Sequence, residues 1–450
     1  MTKKIAFFFS LIFFSIAANN CFGDASLIRD AQSEKFLREL SRPIFLSANL
    51  TPENIKIYII NDNSINAFVS GGQNIFINTG LIRKYSTPDA LIGVIAHESG
   101  HIAAGHLARS GEGAEQAQGA MLLSYLLGIG AVLGGSPDAG AAIMMGGSST
   151  ANRLFMKYTR GQEEAADQHA IRYLAEMQYP ATGLVKLLEF FQSEMVGYQG
   201  EIDEYLLSHP ISKKRIDLIK ARTANVNFSD TKINHSLQPQ MDWVLSKLEG
   251  FMENPGEILE KYKNRRDQFS NYKKAIAFFR IGKSAEALKL MDPIIEKNRS
   301  DGFLFEQKGQ ILFESGQVSE SVLAYNQAIK LLSEQDGAQA KIAFAAAILA
   351  LSQNDRELTD LALKRLIEAE KYEDENPFLF KQLASGYSKI DDEGRSFLAL
   401  AEYNLLIGQK EKCTKYAKSA KDKLDKSAKA ELLRADDLIE LAKSDKKDAS

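Results

Sequence analysis

The stretch VIAHESGHIAAGH, residues 94–106, sets two histidines and a glutamate into an otherwise apolar run. His97 and His101 are four apart, so on a helix both imidazoles leave one face about one turn apart and can reach a single ion. Glu98 points somewhat aside and is placed to hold a water on that ion rather than to bind it. The competing reading is a core helix that tolerates satisfied polar side chains. With only six histidines in the whole chain, chance is a poor explanation for HExxH. His106 comes five residues after His101, about 140° around a helix, and is assigned to capping or packing.

A further ligand must come from elsewhere, and YTRGQEEAADQHAIRYLAEMQY offers one. Glu163 and Asp167 are four apart on a predicted helix. The glutamate can complete the ion's shell while the aspartate, one turn on, receives a hydrogen bond from a ligand imidazole and fixes its tautomer. Alone, ExxxD is common on solvated faces; after HExxH it carries more weight.

The elements that must position these residues are also legible. NIKIYIINDN reads as a strand, and INAFVSGGQNIFINTGL as two short strands around Ser70-Gly71-Gly72, a hairpin. Alternation in QNIFIN sends Ile75 and Ile77 one way and Asn74, Phe76 and Asn78 the other, a half-exposed strand. Thr87 suits an N-cap and Pro88 the first helical position, so HESGH falls inside a well-started helix.

HESGH, the EEAAD segment, SHPISKKRI and the upstream NAFVSGGQNIFINTGLI together resemble the HtpX and CAAX-protease family of zinc metallopeptidases. The resemblance implies Glu163 as the third zinc ligand, after His97 and His101. It also implies that His209 lies near the metal, either occupying its open position in a latent form or donating to the oxyanion during turnover. Arg215 is implied to pair with an acidic group near the site. Relatives commonly read ExEAD where this chain has Ala165, a position that is not the expected ligand. One Zn²⁺ on three protein ligands would leave a place for water and lower its pKa toward about 7, with Glu98 as general base. The strand Gln73, Asn74, Ile75, Phe76, Ile77 and Asn78 is the expected place for an extended substrate to pair by its main chain.

The chain has 450 residues, 45% hydrophobic and 25% charged, enough for two or three domains. A net charge of −3 gives no basic field for nucleic acid. Lys3, Lys4 and the apolar run from Ile5 to Ala18 have the layout of a secretory signal peptide over residues 1–23, so export to the periplasm is expected. Lipid modification at Cys21 is the competing reading. The insert over residues 116–152 has Asp138 as its sole charge and no run of the roughly 20 residues that span a membrane. It is read as helices covering the site or, alternatively, as a membrane-contacting hairpin.

In the tail, Ala275, Phe278, Gly282 and Ala287 recur as Gly309, Leu312, Gly316 and Ser321, each displaced by 34 residues, the tetratricopeptide length. The polar segment 224–240 reads as a linker. The expected architecture is therefore a signal peptide (1–23), an α+β zincin-like metalloprotease domain, mostly helical with a small sheet (24–240), and an all-α tetratricopeptide-repeat solenoid (241–450). The family resemblance implies extended segments of envelope proteins as substrates and, through the repeats, outer-membrane assembly machinery as a partner. The alternative is a chaperone or adaptor with a latent metal site.

Overall fold

The computed structural model describes residues 26–70, 72–105, 160–197, 209, 213–223, 230–353 and 355–444. The expected export signal, Cys21, His106 and the insert 116–152 lie outside them. The described residues fall into two compact units that divide after Met252.

The first unit opens with β1 (Ser26–Ile28) and α1 (Ala31–Ser47), then β2 (Ile57–Asn61), β3 (Ala67–Ser70) and β4 (Asn74–Asn78). The sheet order is β1-β2-β4-β3, with β2 and β4 parallel and the outer pairs antiparallel. The hairpin of β3 and β4 is the one its turn residues announce, with Gly72 at φ 90°. By register, Ala67, Val69, Ile75 and Ile77 share one face and are buried.

The other face is not half-exposed as the alternation predicted. Phe76 stacks between Tyr58 and Phe68, with ring centroids 5.0 and 5.1 Å away, and Asn78 Nδ2 donates to Ser64 Oγ at 2.7 Å. Phe76 and Asn78 are therefore as buried as the isoleucines between them.

Helices α2 (Thr79–Lys84) and α3 (Asp89–Ala103) follow, and α3 begins one residue later than expected, with Pro88 at its N-cap. Next come α4 (Arg160–Glu176), α5 (Thr182–Gly197), α6 (Lys213–Thr223) and α7 (Asp230–Met252). Two glycines set how closely α3 is approached. A Cβ on Gly93 would stand 2.7 Å from Leu184 Cβ on α5, and one on Gly100 would stand 2.8 Å from Ala166 O on α4. Any side chain there would push the helices apart.

The expected linker 224–240 is corrected from residue 230 onward, because α7 runs through it and across the predicted boundary at 240–241. Polar letters and Pro239 hid a helix whose later turns bury Met241, Val244, Leu248 and Phe251. Lys247, fully buried, reaches the carboxylate of Asp30, which also caps α1 by accepting from Ser33 N at 3.0 Å. Gln238 Nε2 donates to Ser86 O at 2.7 Å, just ahead of α3.

The second unit is helical throughout its described residues, from α8 (Pro255–Lys261) and α9 (Gln268–Arg280) to α18 (Lys429–Ser444). Helices α9 and α10 (Ser284–Lys297) recur as α11 (Gly302–Glu314) and α12 (Val318–Leu331) at the 34-residue interval. Gly282 and Gly316 turn at matching positions, with φ of 75° and 83°. Gly309 lies against the ring of Tyr325, 2.6 Å from a Cβ built there. The interval loosens from α13 (Ala338–Leu351), an alanine-rich helix buried from residue 338 to 349.

Candidate metal centre

Helix α3 supplies His97, Glu98 and His101, all about 1% exposed. Helix α4 supplies Glu163 and Asp167 on the face that continues through Ala166 and Ala170, which are fully buried. Close approach at Gly100 brings that face to the histidines. His209, 2% exposed, and Arg215, 3% exposed, complete the cluster from residues just ahead of α6 and within it.

The separations decide what the cluster is for. His97 Nε2 and His101 Nε2 are 3.2 Å apart, and they lie 3.4 and 3.2 Å from the two carboxylate oxygens of Glu163. Tetrahedral ligands about 2.0–2.1 Å from a common ion stand about 3.3–3.4 Å from one another. One hydrogen per neutral imidazole cannot satisfy all these contacts, whereas a shared cation can. His209 Nδ1 lies 3.2 Å from Glu163 Oε2, and the ligand atoms of His97, His101, Glu163 and His209 all fall within 4.8 Å of one another. Two or three imidazoles with one carboxylate suit a borderline divalent ion.

Around this set, His97 Nδ1 lies 3.0 Å from Asp167 Oδ1, which turns Nε2 toward the cluster. Arg215 grips Asp167 with Nε at 2.7 Å and Nη2 at 2.9 Å, and reaches Glu163 Oε2 with Nη1 at 2.9 Å. Glu98 Oε1 is buried without a hydrogen-bond partner among the described residues, 3.5 Å from His209 Nε2. A carboxylate oxygen left open beside a four-donor cluster is a place for a water.

Burial raises the Glu98 carboxyl above the ordinary range, partly offset by His209 and His97. Burial pushes His101 down to about 3, so it stays neutral with a lone pair to donate. For Asp167, burial is outweighed by His97 and Arg215, which hold it below the usual carboxylate range. Burial also opposes charge on His97, yet Asp167 and Glu163 raise it to about 10. A cation competes with that proton for the same nitrogen.

Residues 30–223 match the model of peptidase family M48. The chain therefore carries an M48 metallopeptidase domain. It is similar to the beta-barrel assembly-enhancing protease of Escherichia coli (strain K12), 24% identical over 67% of this chain and 62% of that protein. To the protein of that name from Yersinia pestis it is 25% identical, over 60% of this chain and 56% of the relative. Metalloprotease YcaL of Escherichia coli (strain K12) matches 45% of this chain and 75% of its own length at 25% identity. The chain thus spans about three fifths of the beta-barrel assembly-enhancing proteases it matches.

Within the M48 domain the structure brings together seven of the expected residues: His97, Glu98, His101, Glu163, Asp167, His209 and Arg215. The expected substrate strand is not free to pair as proposed for it. Gln73 is exposed in the turn, and β4 has β2 on one edge and β3 on the other, so no further chain can pair with residues 74–78. Among the described residues the sheet ends in β1 on one side and β3 on the other, and it is β3 whose strand packs against α3. Sequence reasoning missed this edge, and it missed Gly100, whose small size inside HESGH was the available signal.

Proposed function

We propose that this chain is an exported, zinc-dependent endopeptidase acting on extended segments of envelope proteins. What supports the reading is one observation: a buried carboxylate oxygen of Glu98, without a hydrogen-bond partner among the described residues, beside four converging ligand atoms. A purely structural metal site has no use for it.

A Zn²⁺ held by His97, His101 and Glu163 would polarise a peptide carbonyl and acidify a water. Glu98, with its carboxyl raised by burial, takes the proton of the attacking water and hands it to the leaving amine. Asp167 keeps His97 in the tautomer that donates from Nε2. The substrate lies extended along the open edge of β3, paired through its main chain, which selects for unfolded segments more than for sequence. The helical unit is read as tetratricopeptide repeats that bind a protein partner. The names of the relatives point to the assembly of outer-membrane β-barrels as the setting. No helix among the described residues is long and apolar enough to cross a membrane.

A second reading, an adaptor with a latent site, is favoured by His209, whose ring would offer the same ion a fourth donor. Two variants separate the readings. Glu98→Gln should abolish casein cleavage while fold and zinc content persist; cleavage at the wild-type rate would sink the peptidase reading. His209→Ala should raise cleavage if the histidine blocks the site and lower it if it serves the oxyanion.

A further inference from the structure

We propose that Arg215 is a positioning residue that fixes how Glu163 meets the metal and makes the docking of α6 and the binding of a divalent cation depend on each other. This rests on the metal-site reading above. The guanidinium, 3% exposed, spends three nitrogens on two carboxylates. Nε and Nη2 hold Asp167, and Nη1 holds Glu163 Oε2 at 2.9 Å. With Oε2 drawn to the guanidinium, Oε1, 3.2 Å from His101 Nε2, is the oxygen favoured to ligate. Single-oxygen ligation keeps the metal four-coordinate, with a position for water. Through Asp167 the same side chain also fixes the ring of His97. One residue on α6 therefore orients two ligands on two other helices.

The charges point the same way. Glu98, Glu163 and Asp167 are buried carboxylates facing one guanidinium. Carboxylates thus outnumber the guanidinium in this buried cluster, an imbalance that a cation relieves. Besides Arg215, helix α6 is held by buried Ile216 and Ile219 and by ion pairs of Lys214 with Glu164 and Lys220 with Glu189. Arg215 is the part of that attachment shared with the metal site, and His209 enters from the same stretch of chain. A lysine could not replace the arginine, because a single ammonium cannot grip one carboxylate by two nitrogens and reach a second.

Hydrogen exchange on the full chain, zinc-bound and after chelation, tests the coupling directly. Protection of residues 213–223 should fall at least about tenfold on chelation, with α9 to α12 unchanged. Arg215→Lys should bind Zn²⁺ about 10–100-fold more weakly and show no metal-dependent protection of α6. The visible spectrum of its cobalt form should shift from four-coordinate toward five-coordinate as Oε2 is freed. Equal protection of α6 with and without zinc in the wild type, or a Lys variant with wild-type affinity and cobalt spectrum, would overturn the proposal. If Arg215→Lys does not fold, the wild-type exchange comparison decides alone. A wild type that binds no divalent cation would sink the metal-site reading too, whereas an active zinc-loaded enzyme with an indifferent Arg215 sinks this inference only.

Discussion

Glu98 and Asp167 sit next to the proposed ligands without being among them, and their substitutions should fail in different ways. Glu98→Gln keeps the shape and loses the base, so peptide hydrolysis should drop by roughly 10²–10⁴ with zinc content intact, read by steady-state assay beside metal analysis. Asp167→Ala removes the anchor of His97 and one partner of Arg215, so zinc affinity itself should fall about 10–100-fold in a chelator competition. The placement of these residues was legible in the sequence, because Glu98 adjoins His97 and helical spacing of four puts His97 beside His101 and Glu163 beside Asp167. His209 and Arg215 were legible only through family resemblance. Nothing local in SHPISKKRI says that these side chains point at helix α4, since that follows from how α6 docks.

At the scale of elements, the contact between α3 and α4 carries the site. Gly100→Val would drive a side chain into the backbone of Ala166, 2.8 Å from where its Cβ must stand. The variant should lose about 1–3 kcal/mol of stability by thermal unfolding and bind zinc more weakly, because the two ligand-bearing helices separate. The period of two in QNIFIN gave the strand and the hairpin correctly but misjudged exposure and edge position. Both depend on β2, whose parallel pairing with β4 is a long-range event that alternation does not encode. In α7 the error ran the other way. Its opening turns are polar enough to read as loop, and only burial of Met241, Val244 and Leu248 reveals the element.

At the scale of the molecule, the M48 match ends at residue 223 while the compact unit extends to Met252. A chain ending at Met252 should fold and hold zinc, whereas one ending at Thr223 should be unfolded by circular dichroism, having lost α7. The anchor can be tested by itself. Lys247→Met leaves Asp30 charged and buried without its cation, and should cost about 3–5 kcal/mol in denaturant unfolding. Asp30→Asn in the same chain should recover much of that, since asparagine still caps α1. The Asp30 and Lys247 partners stand 217 residues apart. A polypeptide emerging amino end first must therefore keep its opening helix unfastened through nearly the whole synthesis of the unit. Until residue 247 arrives, Asp30 lacks the cation its burial requires, so closure of the unit is timed by its own last helix.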